Sequence, residues 1–146
     1  MTIRLMTPAD YPACYDLWLR TPGMGLNSVD DSADGIARYL KRNPSTCFVA
    51  EEEGRIVGVI LAGHDGRRGY ISHTAVDSAF RRRGIGGQLV EHTMAALEQE
   101  GITKVNLVVF SRNETGNAFW ESMGFTVRTD LTYRDRRICE SVRMDT

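Results

Sequence analysis

Apolar positions along the chain follow two rhythms: a period of two in the middle and a period near 3.6 on either side. Ile3 and Leu5 alternate with Thr2 and Arg4, which predicts a short first strand. Thr7-Pro8-Ala9-Asp10 then opens a helix, because Thr7 can cap it, Pro8 suits its first turn and Asp10 favours its positive end. Tyr11, Cys14, Leu17 and Trp18 share one face of that helix. Residues 21–31, with Pro22, Gly23, Gly25, Asn27, Asp30 and Asp31, read as a loop. Ile36, Tyr39 and Leu40 mark a second helix that ends before Pro44.

A strand-rich centre follows. Cys47-Phe48-Val49-Ala50 and residues 56–62 flank Glu53-Gly54-Arg55, a hairpin signal, and Asp65-Gly66-Arg67-Arg68-Gly69 turns the chain into residues 70–76. Three antiparallel strands in a row are expected. After the polar turn Asp77-Ser78-Ala79, a long helix runs to about Glu100, with Leu89, Val90, Thr93 and Leu97 inward and Gly101 as its stop. Residues 105–109 form the next strand, so strand, helix and strand imply a right-handed parallel crossover. Residues 113–123 make a last helix stopped by Gly124, and one or two closing strands are expected from Phe125 onward. The expected order is strand, helix, helix, three strands, helix, strand, helix, two strands. That is one α/β (mixed α+β) domain over residues 1–146, its mixed sheet carrying helices on both faces.

At 146 residues the chain can bury roughly two thirds of its unfolded surface without disulfides or a structural metal. The net charge of −1 leaves no global basic field, so nucleic acid is not expected as the main partner. The longest apolar runs, such as 56–63, fall far short of the ~20 residues of a membrane helix, so no membrane partner is expected either. Met1-Thr2-Ile3-Arg4-Leu5 lacks the apolar stretch of a signal peptide, and a cytoplasmic location is expected. Cys14, Cys47 and Cys139 are widely spaced and odd in number; Cys14 and Cys47 read as reduced core thiols, and no metal pattern is present.

The chemistry concentrates in Arg81-Arg82-Arg83-Gly84-Ile85-Gly86-Gly87, between a strand and a helix N-terminus. First-turn N–H groups have no intrahelical partner and carry about half a positive charge. Glycines at 84, 86 and 87 let backbone approach a ligand, and three arginines add charge, which together describe a pyrophosphate site. The spacing is neither the dinucleotide fingerprint nor a P-loop.

It resembles the cofactor motif of the GNAT superfamily of acetyltransferases, (Gln/Arg)-x-x-Gly-x-(Gly/Ala), with Arg81, Gly84 and Gly86 in the defining positions. Asn113, Gly116, Trp120 and Gly124-Phe125 match the spacing of the family's second motif. The resemblance implies acetyl transfer from acetyl-CoA, with no metal, to a primary amine on a small molecule, amino acid or peptide by direct attack in a ternary complex, with a homodimer as one permitted assembly. The alternative is a catalytically silent acyl-CoA sensor. The resemblance also implies that strands 70–76 and 105–109 splay apart into a slot. Pantetheine would pair there with the backbone of Thr74, Ala75 and Val76, pyrophosphate would rest on the amides of Arg82, Arg83, Gly84, Ile85, Gly86 and Gly87, and Asn113 would reach the cofactor arm or simply cap its helix.

Two departures bear on mechanism. The family's usual tyrosine acid is replaced by Trp120, whose indole is too weak an acid to deliver a proton at neutral pH. Trp120 can still wall the thioester pocket, leaving Tyr133 or water to protonate the thiolate. On strict alternation Tyr70, Ser72 and Thr74 share one face of their strand and His73 the other. Proton removal is therefore expected to run through water held by Ser72 and Tyr70, with His73, His64 and Asp65 as minor candidates and His92 on an exposed helix face. Asp30, Asp31 and Asp34 suggest a cationic acceptor or a solvated surface, whereas Arg134, Arg136 and Arg137 favour an acidic one.

Overall fold

The computed structural model describes residues 1–144. Strand β1 (Thr2–Leu5) leads to a 3-10 turn at Pro8–Asp10 and helix α1 (Tyr11–Leu19). The turn exists because Asp10 Oδ2 accepts the backbone N–H of Thr7 at 2.8 Å, and the longer helix expected from Pro8 onward begins only at Tyr11. Helix α2 (Ala33–Arg42) starts at Ser32, whose Oγ accepts the Gly35 N–H. Strands β2 (Phe48–Glu52), β3 (Arg55–His64) and β4 (Gly69–Val76) follow, then a short 3-10 turn, helix α3 (Ile85–Gln99), strand β5 (Val105–Asn106) and helix α4 (Glu114–Ser122). The β2–β3 hairpin closes as the sequence signals, with Glu53 and Gly54 at φ 51° and 76°, the left-handed pair of a tight type I′-like turn.

The five strands lie in chain order, antiparallel from β1 to β4 and parallel between β4 and β5. Each face of the sheet has its own buried cluster. Cys14, Leu17 and Trp18 of α1 and Ile36 and Leu40 of α2 meet Val49, Val59, Leu61 and Ala75 on one face. Ile85, Leu89, Val90 and Leu97 of α3 meet Ala50, Val57, Ile60, Ala62 and Ile71 on the other. The two-faced mixed sheet matches the sequence expectation. Two details correct it. β5 spans two residues instead of five, and no strand occurs among residues 126–144, where two were expected; only an isolated bridge pairs Asn27 with Arg143. Alternating apolar residues favour a strand only where an edge accepts them, and residues 126–144 lie mostly exposed instead.

Candidate active site

β4 pairs with β5 only through Gly69–Val105 and Tyr70–Asn106. Beyond them the chain leaves the ladder, so the β4 edge from Ile71 to Val76 has no strand partner on that side. Thr74, Ala75 and Val76 therefore offer backbone N–H and C=O groups along an open edge, the arrangement that accepts an extended ligand as an added strand.

That edge ends at the arginine turn. Buried Asp77 anchors it: one carboxylate oxygen accepts the Ala79 N–H at 2.9 Å, and the other meets Arg55 at 3.0 Å and Arg20 at 3.4 Å. The Ala79 N–H, followed by the two guanidiniums, holds this carboxyl below the usual carboxylate range despite its burial. Nothing in the sequence pattern had singled out Asp77. Beyond it, Arg82 and Gly84 adopt φ 64° and 76°, left-handed conformations on either side of Arg83. The first α3 hydrogen bond runs from the Gln88 N–H to the Gly84 carbonyl, which leaves the N–H groups of Ile85, Gly86 and Gly87 without intrahelical acceptors. Gly84 is required by its conformation, since a Cβ there would meet open space. Gly86 is different. A Cβ on it would lie 3.1 Å from the Phe119 ring, so this glycine lets α4 pack against α3 and does not serve ligand approach alone. Arg81, Arg82 and Arg83 are all exposed, and Arg83 stacks on Phe80 at 4.9 Å and approaches Glu52 at 3.7 Å.

The other end of the edge departs from strict alternation. Ala75 pairs with Val59 and Ser72 with Leu61, so His73 and Thr74 together oppose Ile60. This β-bulge, with His73 at φ 43°, shifts the facing of β4 by one residue. Ile71 consequently enters the α3 cluster and Ala75 the α1–α2 cluster, although alternation puts them on one face. Tyr70, opposite Gly63, and Ser72, opposite Leu61, face the α1–α2 side as expected. His73 joins them there, contrary to the sequence expectation. Its ring meets Trp18 edge-on at 5.2 Å, and its Nε2 lies 2.6 Å from Asp31 Oδ1. Asp31 is no solvated surface charge: it is buried, and its Oδ2 accepts the Asn27 N–H at 2.8 Å. The sequence held no sign of this pair, because its members stand 42 residues apart.

Tyr70 remains 39% exposed, and partial burial, then neighbouring Tyr133, push its hydroxyl above the usual phenol range. Tyr133 is therefore beside Tyr70, although it is itself 68% exposed and lies on no strand. Asn113 caps α4, its Oδ1 accepting the Gly116 N–H at 2.9 Å, so the capping role is realised. Trp120 packs edge-on against Phe119 at 5.0 Å and Phe125 at 5.2 Å, next to the α3 cluster, as a packing aromatic. The remaining candidates are structural. His64 Nδ1 accepts the Gly66 N–H and Asp65 accepts the N–H groups of Arg67 and Arg68, which builds the β3–β4 turn. His92 is exposed on α3, its Nδ1 2.9 Å from the Gln88 carbonyl. Burial raises the Cys14 thiol to about 12 and the Cys47 thiol to about 11, which makes both inert core groups.

A strand edge thus opens beside a helix N-terminus, on a sheet covered on both faces. Residues 11–125 match the model of the Acetyltransferase (GNAT) family. The chain is 31% identical to Acetyltransferase ECA0875 of Pectobacterium atrosepticum over 138 residues, covering 94% of this chain and 96% of that one. Its fold is similar to that of Ard1 from Thermoplasma volcanium, with a TM-score of 0.78, 23% identity and coverage of 88% and 84% of the two chains. It is also similar to Rv2747 from Mycobacterium tuberculosis, solved in complex with CoA and NLQ, with a TM-score of 0.64, 20% identity and coverage of 82% and 70%. The chain belongs to the GNAT family and is an acetyl-CoA-dependent N-acetyltransferase.

Proposed function

We propose that this enzyme acetylates a primary amine, borne by a small molecule, an amino acid or a peptide, by direct attack within a ternary complex. One observation carries the reading: the open β4 edge joins three unpaired helix amides at one end to the Tyr70, Ser72 and His73 face at the other. Acetyl-CoA supplies an activated thioester. The amides of Arg82 to Gly87, with the charges of Arg81, Arg82 and Arg83, hold its pyrophosphate, because anions are favoured by about 0.3–1 kcal/mol at a helix N-terminus and more where several N–H groups converge. Thr74, Ala75 and Val76 hold the pantetheine amides by strand pairing, which aligns the thioester toward the bulge. Backbone N–H groups displaced from the ladder there can polarise its carbonyl. Asn113, at the head of α4, borders the same slot.

Trp120 steadies α4 against α3 in this reading and transfers no proton. Tyr133, next to Tyr70, is the one acidic hydroxyl proposed to protonate the departing thiolate, with water as its substitute. The sensor alternative draws no support from relatives that carry the name acetyltransferase. A cytoplasmic setting suits a chain with two buried thiols and a third exposed at Cys139.

The test pairs binding with turnover. Acetyl-CoA at about 100 times its Kd should stabilise the fold by about 2.7 kcal/mol and raise Tm accordingly. Gly84→Asp places a carboxylate and a strained φ in the turn and should remove that rise. Release of CoA thiol in the presence of a panel of amines, amino acids and peptides then identifies the acceptor. An unchanged Tm rise in Gly84→Asp, or no turnover with any amine, would sink the reading.

A further inference from the structure

We propose that His73 and Asp31 form the catalytic base pair, with His73 Nδ1 taking the proton of the acceptor amine and Asp31 acting as the positioning residue. The inference rests on the acetyltransfer reading above and concerns a step that reading leaves unassigned.

Three features converge on this ring. The bulge turns His73 out of register and onto the face shared by Tyr70 and Ser72. The backbone at His73 holds φ 43°, a left-handed conformation that a non-glycine side chain seldom adopts and that persists only where its surroundings enforce it. Here they do: the Trp18 indole N–H donates to the His73 carbonyl at 3.2 Å while the indole ring packs edge-on against the imidazole. Finally, Asp31 Oδ1 lies 2.6 Å from Nε2. An ionised carboxylate only accepts, so that contact fixes the hydrogen on Nε2 and leaves the lone pair on Nδ1. The ring side chain keeps 16% exposure and Asp31 6%, which suits a base reached from one side and an orienting group sealed behind it.

The charged and titratable neighbours agree with this assignment. From the α1–α2 loop the ring faces Asp31, whose carbonyl accepts the Tyr11 hydroxyl of α1 at 2.7 Å. From α1 it faces Trp18, and β4 itself contributes Ser72 and Tyr70 on the same face. Both Tyr11 and Tyr70 are pushed above the ordinary phenol range, chiefly by burial, so neither phenol offers a competing base. Among the described residues, the ion pair formed by this ring is with Asp31.

The chemistry balances without a further reagent. The ammonium form of the acceptor gives one proton to His73 Nδ1, directly or through one water. The amine nitrogen then forms its bond to the acetyl carbon, the C–S bond breaks, and the electron pair leaves on the CoA sulfur. The product amide loses its surplus proton to bulk water, and the imidazolium returns its own to the thiolate or to solvent.

The experiment uses the full chain and follows kcat/KM against pH for two acceptors whose amine pKa values differ by about two units, alongside ¹⁵N NMR of the imidazole. In the wild type the inflection should sit at the same pH for both acceptors and coincide with the NMR titration of His73, and the neutral ring should carry its hydrogen on Nε2. Asp31→Asn preserves shape, but its amide N–H donates to Nε2 and moves the ring hydrogen to Nδ1. The ¹⁵N shifts should report that tautomer, with kcat falling 10²- to 10⁴-fold while KM and the acetyl-CoA-induced rise in Tm are retained. His73→Gln should remove the fixed inflection and lower kcat by a similar factor, again with the acetyl-CoA effect on Tm intact. An inflection that follows each acceptor's own pKa, one that persists in His73→Gln, or an Nδ1–H tautomer in the wild type would overturn the proposal and return proton removal to water held by Ser72 and Tyr70. Loss of the acetyl-CoA effect in the wild type would instead defeat the acetyltransfer reading; the tautomer measurement stands apart from it.

Discussion

Two parts of this molecule are built to different standards. From β1 to Ile102 the chain forms two buried clusters, one on each face of the sheet, with Leu17, Trp18, Val59, Leu89 and Val90 almost wholly enclosed. From Thr103 to Met144 no described residue is buried, and Leu131, Tyr133, Ile138 and Val142 stand exposed. The proposed clamp for acetyl-CoA belongs to the first part, fixed to α3 and to the Asp77 anchor. Tyr133, the proposed proton donor, belongs to the second. The proposed cofactor clamp is thus mounted on a finished core, while Tyr133 sits on chain that pays no packing penalty when its sequence changes.

The largest expected effect sharpens this contrast directly. Leu89→Ala opens a void beneath α3 and should cost about 2–5 kcal/mol of unfolding free energy, whereas Leu131→Ala should stay within about 0.5 kcal/mol. Urea melts of the two variants decide it. A loss above about 1 kcal/mol at Leu131 would mean that the C-terminal segment buries this side chain in solution, and the contrast would fail.

The legible parts of this fold are those whose cause is local. Glu53-Gly54 announces its turn, Asn113 its cap and Gly84 the start of α3, each within a few residues of chain. The β4 bulge has no such signature, because a pattern of period two cannot show where a ladder skips a residue. Alternation therefore puts His73 on the opposite face from the one it occupies, and its partner Asp31, on a loop 42 residues earlier, carries no mark that separates it from its acidic neighbours. The space that Gly86 leaves for Phe119 is equally hidden in the sequence, because that ring sits on another helix. The two strands expected after Phe125 failed for the same reason in reverse: Val127, Leu131 and Tyr133 have strand-forming side chains, but an ordered strand also needs a neighbour.

A second prediction sets matched arginine–aspartate pairs from the two parts against each other. Arg4 grips Asp10 with both Nη atoms at 2.8 Å, and Asp10 also accepts the Thr7 N–H; Arg128 grips Asp130 at 2.9 and 2.8 Å. The Arg4 guanidinium holds the Asp10 carboxyl below the usual carboxylate range, and Arg128 holds Asp130 near 2. A carboxyl depressed by folding contributes stability above its unfolded pKa of about 3.9, and that contribution fades as pH falls through the folded value. Asp10→Asn should therefore cost about 1–2 kcal/mol at pH 7, between an exposed pair and a buried charged hydrogen bond, with the difference from wild type shrinking below about pH 4. Asp130→Asn should cost clearly less at every pH, since that pair is fully exposed to screening water and its two-residue separation lets it form in the unfolded chain as well. Equal losses in the two variants would show that the C-terminal segment is ordered by its charges despite its exposure.

The smallest effect concerns the one flaw in the well-packed part. Thr93, on the buried face of α3 beside Leu89, Val90 and Leu97, is the one described residue with a buried side-chain polar atom lacking any hydrogen-bond partner. A sealed hydroxyl forfeits its bonds to water and recovers nothing inside, which costs about 1–3 kcal/mol relative to a satisfied group. Valine keeps the branched shape and a similar helix propensity while removing the hydroxyl. Thr93→Val should accordingly raise the unfolding free energy by about 1 kcal/mol, moving the urea midpoint upward with an unchanged m value. The acetyl-CoA-induced rise in Tm should persist, since Thr93 lies two turns beyond the amides of Ile85 to Gly87. A destabilised variant would show that the hydroxyl finds an acceptor in solution, either a neighbouring carbonyl or an enclosed water, and that the core on this face is already complete.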